Sequence, residues 1–463
     1  MKPVTSWSYH PYNPPLREDG GIYICRLAPS ADAVRVEWTD VGEEVYTVTC
    51  THRASGTVRT FTVRACACDI TGLAADEDYE ILVTAGRYYS RKRLVRPCPA
   101  DFVCDAVVNY LHPDDDVYDF SGRYLCSPSI LRHPDGHLLA AMDVFCAKAP
   151  QNLELIFRSD DDGKTWHYLS ELYPCFWGRL FLHRGKLYML SCSTEYGDLL
   201  IGRSDDGGRS FTVPTVLLRG ACKCDRAGVH KNPQPPVSFA GRMWFTMEWG
   251  AWALGTHAAM VGSFDENADP MDAASWLFSD PTPYDEHWEG VAHGRSAGNI
   301  EGTLAVLPDG KLYNIMRYDM GRTKERYGLV LAYRVNTEDP EAPLVYDHAI
   351  PLPGNHSKFM IRYDEREGMY YTVICRITSS ACVSDRRLLS LMRSRDCERW
   401  ELVTDLLDWR DRATPDEVGF QYPDFFIEGD DILLLCRTAI GGANNFHDAN
   451  YSTFHRIRDF RLL

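Results

Sequence analysis

Three arginines each close an apolar run: Arg317 in NIMR, Arg376 in VICR and Arg437 in LLCR. Two acids stand at the same kind of place, Asp143 closing AAMD and Glu248 closing FTME. A guanidinium is planar and pairs with a carboxylate through two parallel hydrogen bonds, so this repeated placement predicts an anion-binding site. Near the starts of apolar runs stand Arg179, His230 with Lys231, Glu301, His356 with Lys358, and Tyr422. A polar loop, GGANNFHDANY (441–451), adds His447, Asp448 and Asn450. Imidazoles, carboxylates and a phenol are the groups that move protons or attack carbon. Any one of them is more often a structural residue; together they do chemistry only if the fold makes them converge.

The elements that would do so are repeated hairpins. Six times the chain writes an apolar strand, a tight turn and a second apolar strand: 127–143, 177–191, 235–248, 302–317, 357–376 and 422–437. PDG, RGK and AG are hairpin turns. A third strand follows each pair, and usually a fourth after a charged turn. Four antiparallel strands at intervals of about 50 residues predict the blades of a propeller. The expectation is therefore an all-β chain with a six-bladed β-propeller over 99–463, its ring closed by residues 451–460 with help from 101–110. In a propeller the starts of first strands and the ends of second strands meet at one mouth of the central channel, where the residues above would lie.

Residues 1–98 are different. AVRVEW, YTVTCTH, TVRTFTVRACACDITGL and DYEILVTA alternate apolar and polar residues with breaks every few residues, the pattern of a small β-sandwich. RPCPAD (96–101) reads as the linker.

Bulk properties exclude some partners. The net charge of -16, from 65 acids against 49 bases, argues against a nucleic acid, which needs a basic surface. No run of about 18 apolar residues and no leader-like segment is present, so no membrane partner is expected and the protein is read as cytoplasmic. The sixteen cysteines are then read as free thiols. Cys66/Cys68 and Cys222/Cys224 lack a second pair at finger-like spacing, and no His/Asp cluster has a diagnostic spacing, so neither metal nor cofactor is predicted. The oligomeric state is not legible.

RSDDDGKTW (158–166) resembles the Asp-box, S-x-D-x-G-x-T-W, of sialidases and their relatives, where it forms a turn between the third and fourth strands of a blade. Ser159, Asp161, Gly163, Thr165 and Trp166 fit it fully. RSDDGGRSF (203–211) fits with conservative changes, and RSRDCERW (393–400) is a shortened copy. Its role is to cap a turn, so these acids are not read as catalytic. Over about 115–463 the chain is similar to the sialidase superfamily, which implies site roles. Tyr422-Pro423-Asp424-Phe425 matches the tyrosine-nucleophile motif. Glu301 and Arg317, flanking a strand–turn–strand, match the activating glutamate and a binding arginine. Asp143 lies in the region of the acid/base. One departure is that Cys126-Ser127-Pro128 stands where that family has Arg-Ile-Pro. Losing that arginine removes charge-assisted hydrogen bonds of about 1.5–3 kcal/mol each. Arg179, Arg376 or Arg437 would then grip an anion from another side.

The same propeller is similar to polysaccharide lyases and rhamnose–glucuronate-cleaving enzymes. That likeness implies Arg179 or Arg317 as carboxylate neutraliser, His230, His356 or His447 as base and Tyr422 as acid. Trp177, Trp249 and Trp252 could stack on sugar faces. The function expected is a sialidase-like exo-glycosidase for a terminal acidic sugar on a glycan. The alternatives are β-elimination on a uronate and glycan binding without turnover. Trp38, the Ile70-Thr71-Gly72-Leu73 segment and Tyr79 resemble a fibronectin type III domain.

Overall fold

The computed structural model describes residues 20–221, 226–291, 298–319, 328–354 and 357–463. His356, Cys222 and Cys224 lie outside them. Among the described residues there is no α-helix, every cysteine is free, and no helix is long and apolar enough to cross a membrane.

The chain from Gly21 to Val95 forms two sheets. Strands Gly21–Ile22, Tyr88–Ser90, Tyr79–Ala85, Tyr46–His52 and Val58–Val63 make one, with Arg93–Val95 attached to Tyr79–Ala85; Ile24–Pro29, Ala33–Trp38 and Ala67–Thr71 make the other. The alternation read in the sequence buries Val34, Val36, Val48, Ile81 and Val83 between them. Trp38 packs on Tyr46 at 5.6 Å, and the Ala74 amide donates to Tyr79 Oη at 2.8 Å.

From Ala106 to Ile457 the described residues form six further sheets of four or five antiparallel strands. The first strands of five of them are easily matched: Ser129–Arg132, Phe176–His183, Gly298–Val306, Met360–Asp364 and Gly419–Glu428. The last sheet takes its outer strand from far upstream, since Ala106–Tyr110 pairs with Tyr451–Ile457. Adjacent first strands are latched by side chains. Asp424 Oδ2 accepts from the Ile130 amide at 2.6 Å, Ser129 Oγ from the Leu180 amide at 3.1 Å and Thr303 Oγ1 from the Ile361 amide at 3.2 Å. The Asp424 latch joins the last sheet back to the first, so the succession closes on itself. Apolar clusters fill the spaces between neighbouring sheets.

The acid-rich turns are local structures. Asp161 Oδ1 accepts from Ser159 Oγ at 2.9 Å and from the Thr165 amide at 2.8 Å, while Ser159 Oγ accepts from the Gly163 amide at 2.8 Å. Trp166 is buried against Phe454 of the last sheet at 5.6 Å. Gly163 has φ 87°, and a Cβ there would come within 2.2 Å of Phe454, so both its freedom and its smallness are needed. Asp206 and Asp396 hold their turns in the same way.

The sandwich is joined to the ring through buried charge. Arg26 bonds Glu37 at 2.8 Å and the Val108 carbonyl at 2.7 Å, His167 Nδ1 meets Glu37 at 3.1 Å, and Arg93 pairs with Asp115 at 2.6 Å.

Candidate active site

Three first strands open with the same distortion. The pairing register slips between Phe176 and Arg179, between Ile300 and Thr303, and between Gln421 and Asp424. In each bulge one residue takes a left-handed backbone: Trp177 at φ 52°, Glu301 at 54° and Tyr422 at 54°. Such conformations cost a bulky residue about 1–3 kcal/mol and recur where a side chain must be aimed. The next residue is Gly178, Gly302 or Pro423. A Cβ on Gly302 would stand 2.1 Å from Asn314 Oδ1, which explains the glycine by close packing.

The bulges bring Tyr422 and Glu301 together across 121 residues: Tyr422 Oη donates to Glu301 Oε1 at 2.6 Å. Arg317, paired with Ile300 on the neighbouring strand, donates to Glu301 Oε2 at 2.6 Å and to Tyr422 Oη at 3.3 Å. Burial pushes the Glu301 carboxyl up, but Arg317, His230 and the hydrogen bonds from Tyr422 and Arg317 outweigh it and hold the group at about 2. The Tyr422 phenol is raised by burial and by the Glu301 charge. Two further guanidiniums face its ring, Arg437 at 4.9 Å and Arg386 at 6.0 Å. Three buried arginines thus surround one phenol and one carboxylate. Arg437 Nε makes no hydrogen bond within the protein. This excess of positive charge in a low-dielectric site favours an anion.

Arg386 was missed in the sequence, which offered Arg376 instead. Arg376 follows Cys375, the last residue of its strand, and turns to Ser390 Oγ at 3.0 Å and to both oxygens of Asp405 at 2.8 Å. It stands apart from Tyr422. Arg386 precedes the third strand of the same sheet and binds Gln421 Oε1. Contacts distant in sequence place it, a backbone bridge to Gly419 and the pairing with Gln421 across 35 residues, and nothing local in DRR announces them. Arg179 is likewise not beside Tyr422. It lies buried and donates to Asp424 Oδ2 at 2.5 Å and to the Pro233 carbonyl at 3.2 Å.

The expected proton donor Asp143 is fully buried, and its two oxygens accept from the amides of Ser127 at 2.6 Å and Trp177 at 2.8 Å. Burial raises its carboxyl to about 6, and Glu154 beside it is raised by burial and by Asp143. Asp143 thus ties together the starts of two sheets from a fully buried position.

His230 Nδ1 meets Glu248 Oε2 at 2.5 Å, and Glu248 Oε1 accepts from the Gly302 amide at 3.3 Å, supporting the Glu301 bulge. Trp177 packs edge-on to His230 at 4.4 Å. Lys231 is buried with its ammonium on the Trp177 carbonyl at 2.8 Å, and burial lowers it to about 8. Trp249 is half-buried against the Trp177–Tyr196 cluster, and Trp252 is exposed beside His257 at 4.8 Å.

His447 sits at the rim. Arg437 Nη2 donates to its carbonyl and lies 3.4 Å from its Nδ1, Asp448 Oδ1 is 3.0 Å from Nδ1, and Phe145 packs edge-on at 5.4 Å. Burial and the Arg437 charge lower its imidazole to about 4, so the ring is neutral near pH 7. Cys126 Sγ accepts from Arg437 Nη1 at 3.1 Å.

No family model matches the sequence, and no curated protein matches it. Solved structures do resemble the fold. An α-L-arabinanase of Penicillium chrysogenum, complexed with arabinobiose, superposes with TM-score 0.50 at 14% identity over 76% of this chain and 97% of its own. A GH93 α-L-arabinofuranosidase of Fusarium graminearum, also with arabinobiose, gives the same TM-score, identity and coverage. The intramolecular trans-sialidase of Ruminococcus gnavus matches with TM-score 0.47 at 11% identity over 73% of this chain and 95% of its own. At these identities the likeness to the arabinanase and the arabinofuranosidase shows the fold alone, a nearly all-β chain of the propeller kind.

Proposed function

We propose that the protein is a glycoside hydrolase that removes a terminal anionic sugar from a glycan. We read 99–463 as a six-bladed propeller and 1–98 as a fibronectin type III-like domain. One observation carries the functional reading: the Tyr422–Glu301 hydrogen bond of 2.6 Å inside a ring formed by Arg317, Arg386 and Arg437. A carboxylate on the sugar would sit among the guanidiniums. A neutral phenol is a suitable nucleophile beside such an anionic substrate, because a carboxylate would be repelled. Tyr422 Oη attacks the anomeric carbon as its proton passes to Glu301, and the glycosidic C–O bond breaks. The departing oxygen takes a proton from His447, whose imidazole becomes easier to protonate once a bound anion offsets Arg437. Water then attacks the anomeric carbon, giving a proton to His447, and Tyr422 Oη departs and takes its proton back from Glu301. The arabinan-degrading neighbours support a glycan substrate, and the arginines favour an acidic one.

A second reading is supported by the neutral His447 ring beside Arg437. With a uronate carboxylate neutralised by the arginines, that ring could take the α-proton while Tyr422 protonates the leaving oxygen, giving β-elimination. Both are tested by incubating the purified protein with aryl glycosides of acidic sugars and with uronate-containing oligosaccharides. Aryl release abolished in Tyr422→Phe supports hydrolysis. A product absorbing in the near ultraviolet, without gain of water by mass, overturns it in favour of elimination. Binding without turnover of either set rejects both catalytic readings.

A further inference from the structure

The hairpin HPDGH (133–137) joins strand Ser129–Arg132 to Leu138–Phe145. Its turn is closed by the His133 amide on the His137 carbonyl at 2.8 Å and by the Gly136 amide on the His133 carbonyl at 2.9 Å, with Gly136 at φ 94°. The closure lays the two imidazoles side by side, centroids 4.5 Å apart and planes within 18°. Asp135 stands over them, its Oδ2 3.5 Å from His133 Nδ1. One ligating atom from each of the three residues can be chosen so that all lie within 4.8 Å of one another. His137 is only 3% exposed, yet neither ring nitrogen has a hydrogen-bond partner. A buried imidazole with both nitrogens unused is uncommon without something to bind.

We propose that His133, Asp135 and His137 form a cation site of the zinc class. Two imidazoles and one carboxylate suit Zn²⁺, whose bonds of about 2.0–2.2 Å set tetrahedral ligands roughly 3.4 Å apart. Asp135 Oδ2 and His133 Nδ1 are already about that far apart; this nitrogen now accepts from the Asp135 amide at 3.2 Å, and the two imidazole planes, within 18° of each other, must tilt for their in-plane lone pairs to meet at one ion. The nearby cations are spent elsewhere: Arg158 clasps Asp160, and Arg132 holds Glu428 and Asp162. The turn lies at the far end of the strand from Asp143, roughly 17–20 Å away at about 3.3 Å per residue. The ion would therefore fix a hairpin and stay out of the reaction. The sequence concealed this site because the i, i+2, i+4 spacing is not diagnostic; the turn makes it a cluster.

The test uses chelator-treated full-length protein, zinc as the probe and the variants His133→Asn and Asp135→Asn, which alter half-buried and exposed side chains. Wild type should take up one more zinc ion per chain than either variant, with affinity for that ion at least tenfold tighter. Cobalt added in place of zinc should give a wild-type-minus-variant spectrum lacking a thiolate charge-transfer band. Equal zinc stoichiometry and affinity in all three proteins overturns the proposal, as does a wild type that binds none at micromolar zinc. A thiolate band in the difference spectrum would also overturn it, by assigning the ion to cysteine.

Discussion

Acids do opposite work at the turns and at the mouth. Asp161, Asp206 and Asp396 accept hydrogen bonds from residues no more than four positions away, so the hydrogen bonds of each turn close within its own segment. Glu301 accepts from Arg317 and from Tyr422, a residue 121 positions on and in another sheet. Local acids stabilise the part; the distant one depends on the whole ring. Removing the first kind should therefore cost stability without chemistry, and removing the second should cost chemistry together with the stability its ion pair supplies.

The sharpest test is Tyr422→Phe. It deletes only the hydroxyl, so turnover should fall on the order of 10³-fold or more while the melting temperature changes little. Next come Arg386→Lys and Arg437→Lys, each expected to raise KM for an anionic substrate by roughly 10–100-fold, the worth of one or two charge-assisted hydrogen bonds. Arg376→Lys is the matched control and should change KM less than about twofold. Equal effects at Arg376 and Arg386 would show that Arg386 has no special part in holding the anion.

A third test uses acid. The Glu301 carboxyl is held at about 2 in the fold, below its ordinary value of 4.5. Its contribution is therefore complete above pH 4.5 and is lost as the pH falls toward 2. The melting-temperature advantage of wild type over Glu301→Gln should shrink between pH 5 and pH 3; a constant gap would show that the charge is not what Glu301 contributes. Smallest is Asp161→Ala, which should lower stability by about 1–3 kcal/mol, read by denaturant unfolding, and leave kcat unchanged.

The same contrast explains what the sequence could tell. Ser159, Asp161, Gly163, Thr165 and Trp166 were legible because the hydrogen bonds that shape the turn lie inside the motif; the packing of Trp166 on Phe454 of the last sheet was not. The hairpins were legible for the same reason, since PDG and RGK carry their own turn geometry. Tyr422, Glu301 and Arg317 were singled out by their places at strand starts and ends and given roles by resemblance, and the bulges supply the physical cause of their meeting that periodicity could not. A signal was present in WGR, EGT and YPD, where glycine or proline follows the aimed residue. Arg386 had no such signal. Its position follows from a contact with Gln421. Asp143 was in the expected place, but its two backbone partners, Ser127 and Trp177, come from the starts of different sheets and could not be read in advance.

The pairing of Ala106–Tyr110 with Tyr451–Ile457 has a consequence during synthesis. The two strands carrying Tyr422 and Arg437 emerge from the ribosome long after Glu301, and their sheet lacks its outer edge until Tyr451–Ile457 meets a segment made about 340 residues earlier. A nascent chain stalled before Tyr451 would hold an open arc of sheets with its first and last edges unpaired. Competence thus arrives in one late step, and premature termination anywhere upstream should give an aggregation-prone remnant with no residual turnover.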